Sequence, residues 1–491
     1  MATATDTGSA RRHGLRRAHV SFVDRLALPL GVALTGMLVL AAQRFDVALA
    51  VEALFALGFF VLLVVFALRR PHMAVALIVP YFAALPALKV LAVPSLGPTK
   101  DVIVLATAVA AAIRAQERRA AGKAVADNWL LTGVGLVFAL YVLDLGGLLG
   151  GQSHNVAWVH GVRLVTEPLL LLLYGLTVSS PRRTLEWGCR SLAATCCGVA
   201  AYGLVQQVLG PWRLYAWGYS FTQQLRVLPN GTLRSFGTLD EPFAYAAFLL
   251  FGIAVCLLWM RPGSTRWAVF IVVSLGLAAS TVRTAAVILV ALLGLALLAR
   301  RRRELAGLLL AIALAGTVFV AADSTNNAST QRTVKTGPSL FLTLNGRTTV
   351  WQVALGSPIN WPFGRGVGVV GKAAQRAAYG VTPSTATSTS NAQTAVDSGY
   401  LSTVADIGLV GLLAFLGLLG RLVALALRSA RSYQRSGWLA LGLLTVMMMD
   451  ALTRDSFTGF PTAFLGMLLV GLCLAVDRDG AEPPSFLTTR W

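Results

Sequence analysis

Apolar runs of about 20 residues, separated by polar connections, recur along the whole chain. An α-helix needs a run of this length to cross a bilayer, whereas membrane β-strands alternate over about ten residues. The pattern therefore predicts an all-α polytopic membrane protein with about 12–14 transmembrane helices. The predicted spans are residues 26–43, 47–68, 73–93, 101–113, 129–149, 161–179, 189–209, 242–260, 267–281, 285–299, 305–321, 399–420, 437–452 and 460–476.

The longest polar stretch runs from residue 322 to residue 397 and is rich in Ser, Thr, Asn and Gly. At about 75 residues it far exceeds an ordinary connection between helices, so we predict a large extracytoplasmic loop. Within it, Asn345–Leu355 is expected to form a short helix after a capping Asn, and the Gly-rich Trp361–Gly371 to form turns. A second long connection, residues 210–241, carries aromatic residues suited to the headgroup region, so part of it is expected to lie on the membrane.

The distribution of Arg and Lys sets the orientation. Alternate connections are basic and fall on the same side as the basic N-terminal tail, so that side is cytoplasmic. An even number of spans then places both termini in the cytoplasm. No cleavable signal peptide is visible, because the first apolar run lacks a small-residue cleavage site. The predicted organisation is a cytoplasmic tail (1–25), transmembrane helices 1–11 with the aromatic outer loop (26–321), the large loop (322–397), C-terminal transmembrane helices (398–476) and a cytoplasmic tail (477–491).

Composition excludes a soluble globular protein, because only 13% of the residues are charged and 56% are hydrophobic. The net charge of +20 would suit a nucleic-acid partner, but the positive-inside pattern explains it and no nucleic acid is expected. The five cysteines lie in or beside apolar runs without metal-ligand spacing. None lies in the large loop, so no disulfide framework is expected there.

Arginines on the predicted outer side are candidates for chemistry, because that side should be poor in positive charge. Arg163 and Arg283 each lie at the outer end of an apolar run, where an unpaired charge is costly and usually faces a cavity or a partner. The alternatives are snorkelling for Arg283 and an ion pair with Glu167 for Arg163. The guanidinium fork fits phosphate oxygens, so several converging arginines would form a pyrophosphate site. No metal and no cofactor are predicted, since the large loop contains no histidine and the outer acids lack ligand spacing.

The acidic candidates lie where polar loops meet apolar runs. Asp397 ends the large loop and could orient or deprotonate an attacking hydroxyl, or cap the next helix. Asp240 and Glu241 precede Pro242, where capping is the alternative. Four further charges fall within apolar runs, and we favour structural pairing over a proton relay for them; they are Glu52, Lys89, Asp144 and Asp450.

Four motifs resemble those of the O-antigen ligase and O-antigen polymerase superfamily of bacterial envelope enzymes. They are RSFGTLDEPFAYAAFLL (234–250), LAASTVRTAAVILVALL (277–293), NGRTTVWQVALGSPINWPFGRGVG (345–368) and VDSGYLSTVADIGLVGLLAFL (396–416). Ligases resembling the fourth motif carry His at the position of Asp397 and Asn at that of Ser398. This departure favours a polysaccharide polymerase over a ligase.

The resemblance implies a GT-C-like, inverting and metal-independent glycosyltransferase of the bacterial inner membrane. Its donor would be a polyprenyl-diphosphate-linked oligosaccharide, and its acceptor a glycan or a lipid-linked molecule at the outer face, among membrane lipids. Asp397, Arg283 and Arg347 are the expected catalytic residues. The expected diphosphate ligands are Arg163, Arg234, Arg283, Arg347 and Arg365, with support from Asp240, Glu241 and Tyr400.

Two other classes of function are compatible with a helix count of this size. A transporter or flippase would place its binding charges near the bilayer midplane and would not need the large loop. A scaffold protein would tolerate the loss of every outer arginine.

Overall fold

A computed structural model of the chain describes residues 47–149, 155–221, 224–228, 231–300, 361–371, 373–374, 398–432 and 434–478. The chain divides into two compact units, Met1–Leu63 and Val64–Trp491. The second unit contains every contact discussed below.

The described residues are almost entirely helical. The α-helices are α1 (Val47–Arg69), α2 (Pro71–Leu91), α3 (Thr99–Ala120), α4 (Asn128–Leu143), α5 (Leu145–Leu148), α6 (Asn155–Thr177), α7 (Pro181–Ala216), α8 (Pro242–Ala254), α9 (Ser264–Ala279), α10 (Arg283–Ala299), α11 (Gly399–Arg431), α12 (Arg435–Asp450) and α13 (Thr462–Arg478). A 3₁₀ turn at Pro94–Leu96 precedes α3, and a π turn at Val255–Trp259 extends α8.

The predicted fold class, an all-α polytopic membrane protein, is confirmed. Six helical segments in the described part of the chain are long and apolar enough to cross a membrane. They are Pro71–Leu91, Asn128–Leu148, Asn155–Thr177, Pro181–Ala216, Pro242–Trp259 and Gly399–Arg431. Each predicted span within the described residues coincides with a helix. The predicted spans 26–43 and 305–321 and the predicted short helix 345–355 lie outside those residues.

The helix α13 forms the centre of the second unit. All its residues from Thr462 to Val476 are buried, and it packs against α6, α12 and α7. Gly175 of α6 and Gly471 of α13 allow the closest approach, because a Cβ atom on either would collide with backbone of the other helix. Small residues at such crossings are how membrane helices gain packing contacts without a hydrophobic driving force.

Two of the long helices are interrupted at a glycine in the left-handed region. In α7 the interruption is at Gly210, where φ is 74°, and Pro211 follows. In α11 it is at Gly408, also with φ of 74°. The helix break at Gly408 frees two backbone N–H groups, and those of Leu409 and Val410 donate to the carbonyls of Trp361 and Pro362. Broken helices within membranes need such substitute partners.

A short antiparallel hairpin follows α7 within the predicted aromatic loop. Its strands are β1 (Arg226–Val227) and β2 (Leu233–Arg234), and they pair Arg226 with Arg234. Of the aromatic residues before it, Tyr219 is buried, whereas Trp212 is 75% exposed and contacts Phe221. The membrane-surface location of this loop stays a prediction.

Candidate functional site

Two adjacent glutamines of α7 hold the hairpin in place. The side-chain amide of Gln207 donates to the carbonyl of Leu233 and to Oγ of Ser235, both at 2.7 Å. The backbone N–H of Ser235 donates to the carbonyl of Ala279 at 3.1 Å. Strand β2 is therefore fixed against the last turn of α9.

Gln206 fixes the turn that follows β2. Its Oε1 accepts the N–H groups of Phe236 and Gly237 at 3.1 and 2.9 Å, and its Nε2 donates to the carbonyl of Gly237 at 2.8 Å. Gln206 is completely buried, so water cannot reach these backbone groups. The three hydrogen bonds to Gln206 give them the partners that they would otherwise lack. The sequence alone does not predict a role for Gln206 or Gln207. The feature that could have revealed them is the presence of two adjacent side-chain amides inside the apolar run 189–209.

The turn between α9 and α10 presents Arg283. Ser280 is fully buried, and its hydroxyl donates to the carbonyl of Leu277 at 2.6 Å. Thr281 adopts a left-handed conformation with φ of 51°, and α10 then begins at Arg283 itself. An arginine in the first turn faces the positive end of the helix dipole, which favours anions. The Arg283 side chain is exposed.

Three arginines meet at this point, and we call Arg226, Arg234 and Arg283 the hairpin cluster. Burial lowers the pKa of Arg234, and the positive charges of Arg226 and Arg283 lower it further. Among the residues that the structure describes, neither Arg234 nor Arg283 pairs with a carboxylate. The hairpin cluster is thus a concentration of positive charge that an anion would relieve.

A carboxylate joins the hairpin cluster to a buried ion-pair network. Glu241 lies 3.8 Å from Arg226 and 3.2 Å from Arg454, and Arg454 lies 3.2 Å from Asp450. Burial opposes the charge of Arg454, but the carboxylates of Asp450 and Glu241 outweigh it and raise the pKa of Arg454. The guanidinium also donates to Oγ1 of Thr462 at 3.1 Å. The network is held from α8, α12 and α13.

The same network fixes the start of α11. The N–H of Gly399 donates to the carbonyls of Ala451 and Arg454 at 2.9 and 3.0 Å. The hydroxyl of Ser398 donates to the carbonyl of Ala451 at 3.3 Å. These residues directly follow Asp397, so the hairpin cluster and the C-terminal end of the large loop converge on one network.

Comparison with known proteins finds a family match for part of the chain. Residues 268–416 match a family model described as O-Antigen ligase. The match supports the O-antigen ligase and polymerase superfamily. The superfamily prediction made from the four motifs is thereby confirmed. No curated protein matches the chain.

The O-antigen ligase match indicates a membrane glycosyltransferase of the ligase or polymerase type, with lipid-linked glycans and membrane lipids as its implied partners. The matched region begins within α9, includes Arg283 and the large loop, and ends within α11. Arg226, Arg234 and Arg454 lie outside it, so the site combines matched and unmatched parts of the chain.

Arg163 does not join the hairpin cluster in the structure. It lies 3.2 Å from Asp101 and 3.3 Å from Glu167, so the ion pair proposed as the alternative for this residue is present. Glu167 in turn lies 2.6 Å from the buried Lys100, which also pairs with Asp101. The two cations and two carboxylates balance in charge and connect α3 to α6.

Arg365 lies in the Gly-rich segment, which forms turns as predicted. Its backbone N–H donates to the carbonyl of Ala405 at 2.7 Å. Two further N–H groups of the segment donate to buried carboxylates. That of Val367 donates to Oδ1 of Asp144 at 2.8 Å, and that of Gly368 donates to Oδ1 of Asp406 at 3.1 Å. Asp144 therefore has a structural partner, as favoured from the sequence. Residues 361–371 are thus held by backbone hydrogen bonds to neighbouring helices.

The remaining predicted residues have separate surroundings. Tyr400 donates to the carbonyl of Met448 at 3.0 Å, and its ring packs on Phe457. Asp240 is exposed, next to Glu241. Arg347 and Asp397 lie outside the described residues. The structure thus brings together Arg234, Arg283 and Glu241. It adds Arg226 and Arg454, which are not among the site residues predicted from the sequence.

Proposed function

We propose that the protein transfers a polyprenyl-diphosphate-linked glycan to a hydroxyl acceptor at the outer face of the bacterial inner membrane, polymerising surface polysaccharide repeat units. The hairpin cluster carries this proposal. Two of its guanidinium groups lack a carboxylate partner among the described residues, and the first turn of α10 adds the positive end of a helix dipole. A diphosphate has the negative charge and the acceptor oxygens that guanidinium groups bind.

The reaction needs little covalent assistance from the protein, because a glycosyl diphosphate is already activated. The acceptor oxygen forms a bond to the anomeric carbon while the bond from that carbon to the diphosphate oxygen breaks. The electron pair leaves with polyprenyl diphosphate, and the hydroxyl proton passes to a base. Direct displacement of this kind inverts the anomeric configuration. It needs no metal and no cofactor when arginines stabilise the departing charge.

We assign these roles to residues as follows. Arg283, Arg234 and Arg226 bind the diphosphate, and Glu241 holds Arg226 in place. By the motif resemblance, Arg347 is a further catalytic arginine and Asp397 is the base. Arg365 and Arg163 are secondary candidates for donor contact, and Arg163 would have to leave its ion pairs to make one. Asp240 and Tyr400 would support the acceptor side.

The choice of polymerase over ligase depends on Asp397, which occupies the position where ligases resembling this pattern carry His. A ligase would transfer the glycan to a distinct lipid or protein acceptor instead of a second repeat unit. The two reactions differ in a product that can be observed directly. A ladder of products from the donor alone supports a polymerase, and product only with a distinct acceptor supports a ligase.

The decisive experiment uses the purified full-length protein in nanodiscs with a defined polyprenyl-diphosphate oligosaccharide. Arg234→Gln and Arg283→Gln should each reduce transfer by about 100- to 1000-fold, as does loss of one preorganised charge donor. Arg213→Gln is the matched control, because Arg213 is exposed at the end of α7 and outside the hairpin cluster. Its rate should equal that of the wild type. Wild-type rates in both cluster variants would contradict the proposal, as would movement of labelled donor across the bilayer without bond formation.

A further inference from the structure

A second group of arginines lies at the other ends of the helices that carry the hairpin cluster. Arg266 is in the first turn of α9, and Arg261 precedes that helix. Arg300 directly follows α10, and Arg435 is the first residue of α12. We call these four residues the distal cluster. The helices α9 and α10 have 16 and 17 residues, which separates the two clusters by about 25 Å.

Arg266 is the unusual member of the distal cluster. It is only 6% exposed, and it has no hydrogen bond or ion pair with any residue that the structure describes. Its guanidinium lies 6.0 Å from the ring of the adjacent Trp267. Burial lowers the pKa of Arg266, and the charges of Arg300 and Arg435 lower it further. Buried arginines are normally paired, because an uncompensated charge is expensive to remove from water.

Two helix N-termini add to this positive field. Neither α9 nor α12 has an acidic residue in its first turn. Each carries an arginine there instead, although the positive end of the helix dipole favours acids. The charge of Arg261 also acts on Arg435. Arg266 and Arg435 therefore each lie beside the unpaired backbone N–H groups of a helix N-terminus, a setting that favours an anion.

We propose that the distal cluster binds the phosphate headgroup of an anionic phospholipid in the leaflet opposite the hairpin cluster. A separation of about 25 Å along two apolar helices places the distal cluster near the level of the headgroups. Trp267 is 59% exposed beside Arg266, and aromatic side chains at that level are typical of the membrane interface. A phosphate diester would supply the negatively charged partner that Arg266 lacks.

The positive-inside rule alone would produce solvated arginines that bind lipid diffusely. Arg428 and Arg431 are arginines of that kind, since both are exposed in the last turn of α11, at the same end of the bundle as Arg435. They provide a matched control, because replacing both removes two positive charges from the same side, more than either single distal variant removes. The distal cluster differs from them in the burial of Arg266 and in the placement of Arg266 and Arg435 in the first turns of two helices.

The test measures binding of fluorescent cardiolipin to the full-length protein in phosphatidylcholine nanodiscs. Arg266→Gln and Arg435→Gln should each weaken binding about fivefold. The double variant Arg428→Gln/Arg431→Gln should bind as the wild type does. Arg435 is exposed, so its variant tests the proposal even where Arg266→Gln fails to fold. Retention of one cardiolipin per wild-type chain in native mass spectrometry is the second expected result.

Three outcomes would overturn the proposal. Equal binding by the wild type and both distal variants would remove the site. An equal loss of cardiolipin binding in the Arg428/Arg431 control would show that binding is a diffuse attraction to positive charge. A second arm offers inorganic pyrophosphate in neutral detergent, and stabilisation by that anion without cardiolipin retention would replace the lipid by a soluble phosphate ligand.

Discussion

Arg454 and Glu241 lie 213 positions apart in the sequence, yet their side chains form a partly buried ion pair of 3.2 Å. Arg454→Gln should therefore destabilise the protein strongly. The variant leaves the buried Asp450 without its cation, and breaking a buried pair costs about 3–5 kcal/mol. The free energy of unfolding in detergent, followed by circular dichroism, measures the change. Glu241→Gln should cost less, because Asp450 remains as a partner for Arg454.

The double variant Arg454→Gln/Glu241→Gln serves as the control for coupling. Residues within one ion-pair network do not contribute independently, so the double variant should lose less stability than the two single losses added together. Strictly additive losses would show that the pair does not couple in solution.

Gly408→Ala should destabilise the protein and disrupt the Gly-rich segment. Gly408 has a φ of 74°, and a Cβ atom there would collide with the carbonyl of Pro362. A non-glycine residue in this conformation costs about 1–2 kcal/mol before the collision is counted. Thermal unfolding in detergent measures the loss. The matched control is Gly417→Ala in the same helix, where no atom would contact the new methyl group. It should be neutral or slightly stabilising, and equal melting temperatures for the two variants would contradict the prediction.

Gln206→Met should weaken donor binding without touching an arginine. The substitution leaves two backbone N–H groups and one carbonyl without a partner, at about 1–3 kcal/mol for each group. Because the turn follows β2, Arg234 should shift and the KM for the donor should rise. Val208→Met, at a position on the same helix that is 87% exposed, is the control and should leave KM unchanged. An unchanged KM in the Gln206 variant would show that the turn does not position Arg234.

The ion pair between Asp127 and Arg421 should make stability depend on pH. A hydrogen bond from Arg421, at 2.5 Å from Nη2 to Oδ2, lowers the pKa of Asp127 despite the opposing effect of burial. A depressed carboxylate pKa stabilises the fold above its ordinary value of about 4, and this gain is lost as the pH falls through the folded-state pKa. Wild type should melt above Asp127→Asn at pH 7, and the difference should shrink below about pH 4. A constant difference across that range would contradict the ion pair as its source, since Asn at this N-cap can still accept from the N–H of Leu130.

The helices could be predicted from the sequence because hydropathy is a local property. The same holds for the pair Arg163–Glu167, which needs only a spacing of one helical turn. Arg226 and Arg454 could not be assigned in this way. The role of Arg226 depends on a hairpin register, and that of Arg454 on an acid far away in the sequence. The distal cluster could not be predicted for another reason. Each of its arginines fits the ordinary positive-inside pattern of the cytoplasmic side, and hydropathy does not reveal that Arg266 is buried.

The Gly-rich segment meets its neighbours backbone to backbone, with Gly146 facing Gly366, Gly364 facing Asp406 and Gly368 facing Ala157. Nearly every substitution at such a backbone contact introduces a collision. Directed evolution would therefore find few tolerated variants at these glycines. Libraries intended to change the glycan should therefore keep the glycines of 361–371 fixed. They can vary Trp361 and Phe363 instead, whose side chains are each 40% exposed and can change without altering the path of the chain.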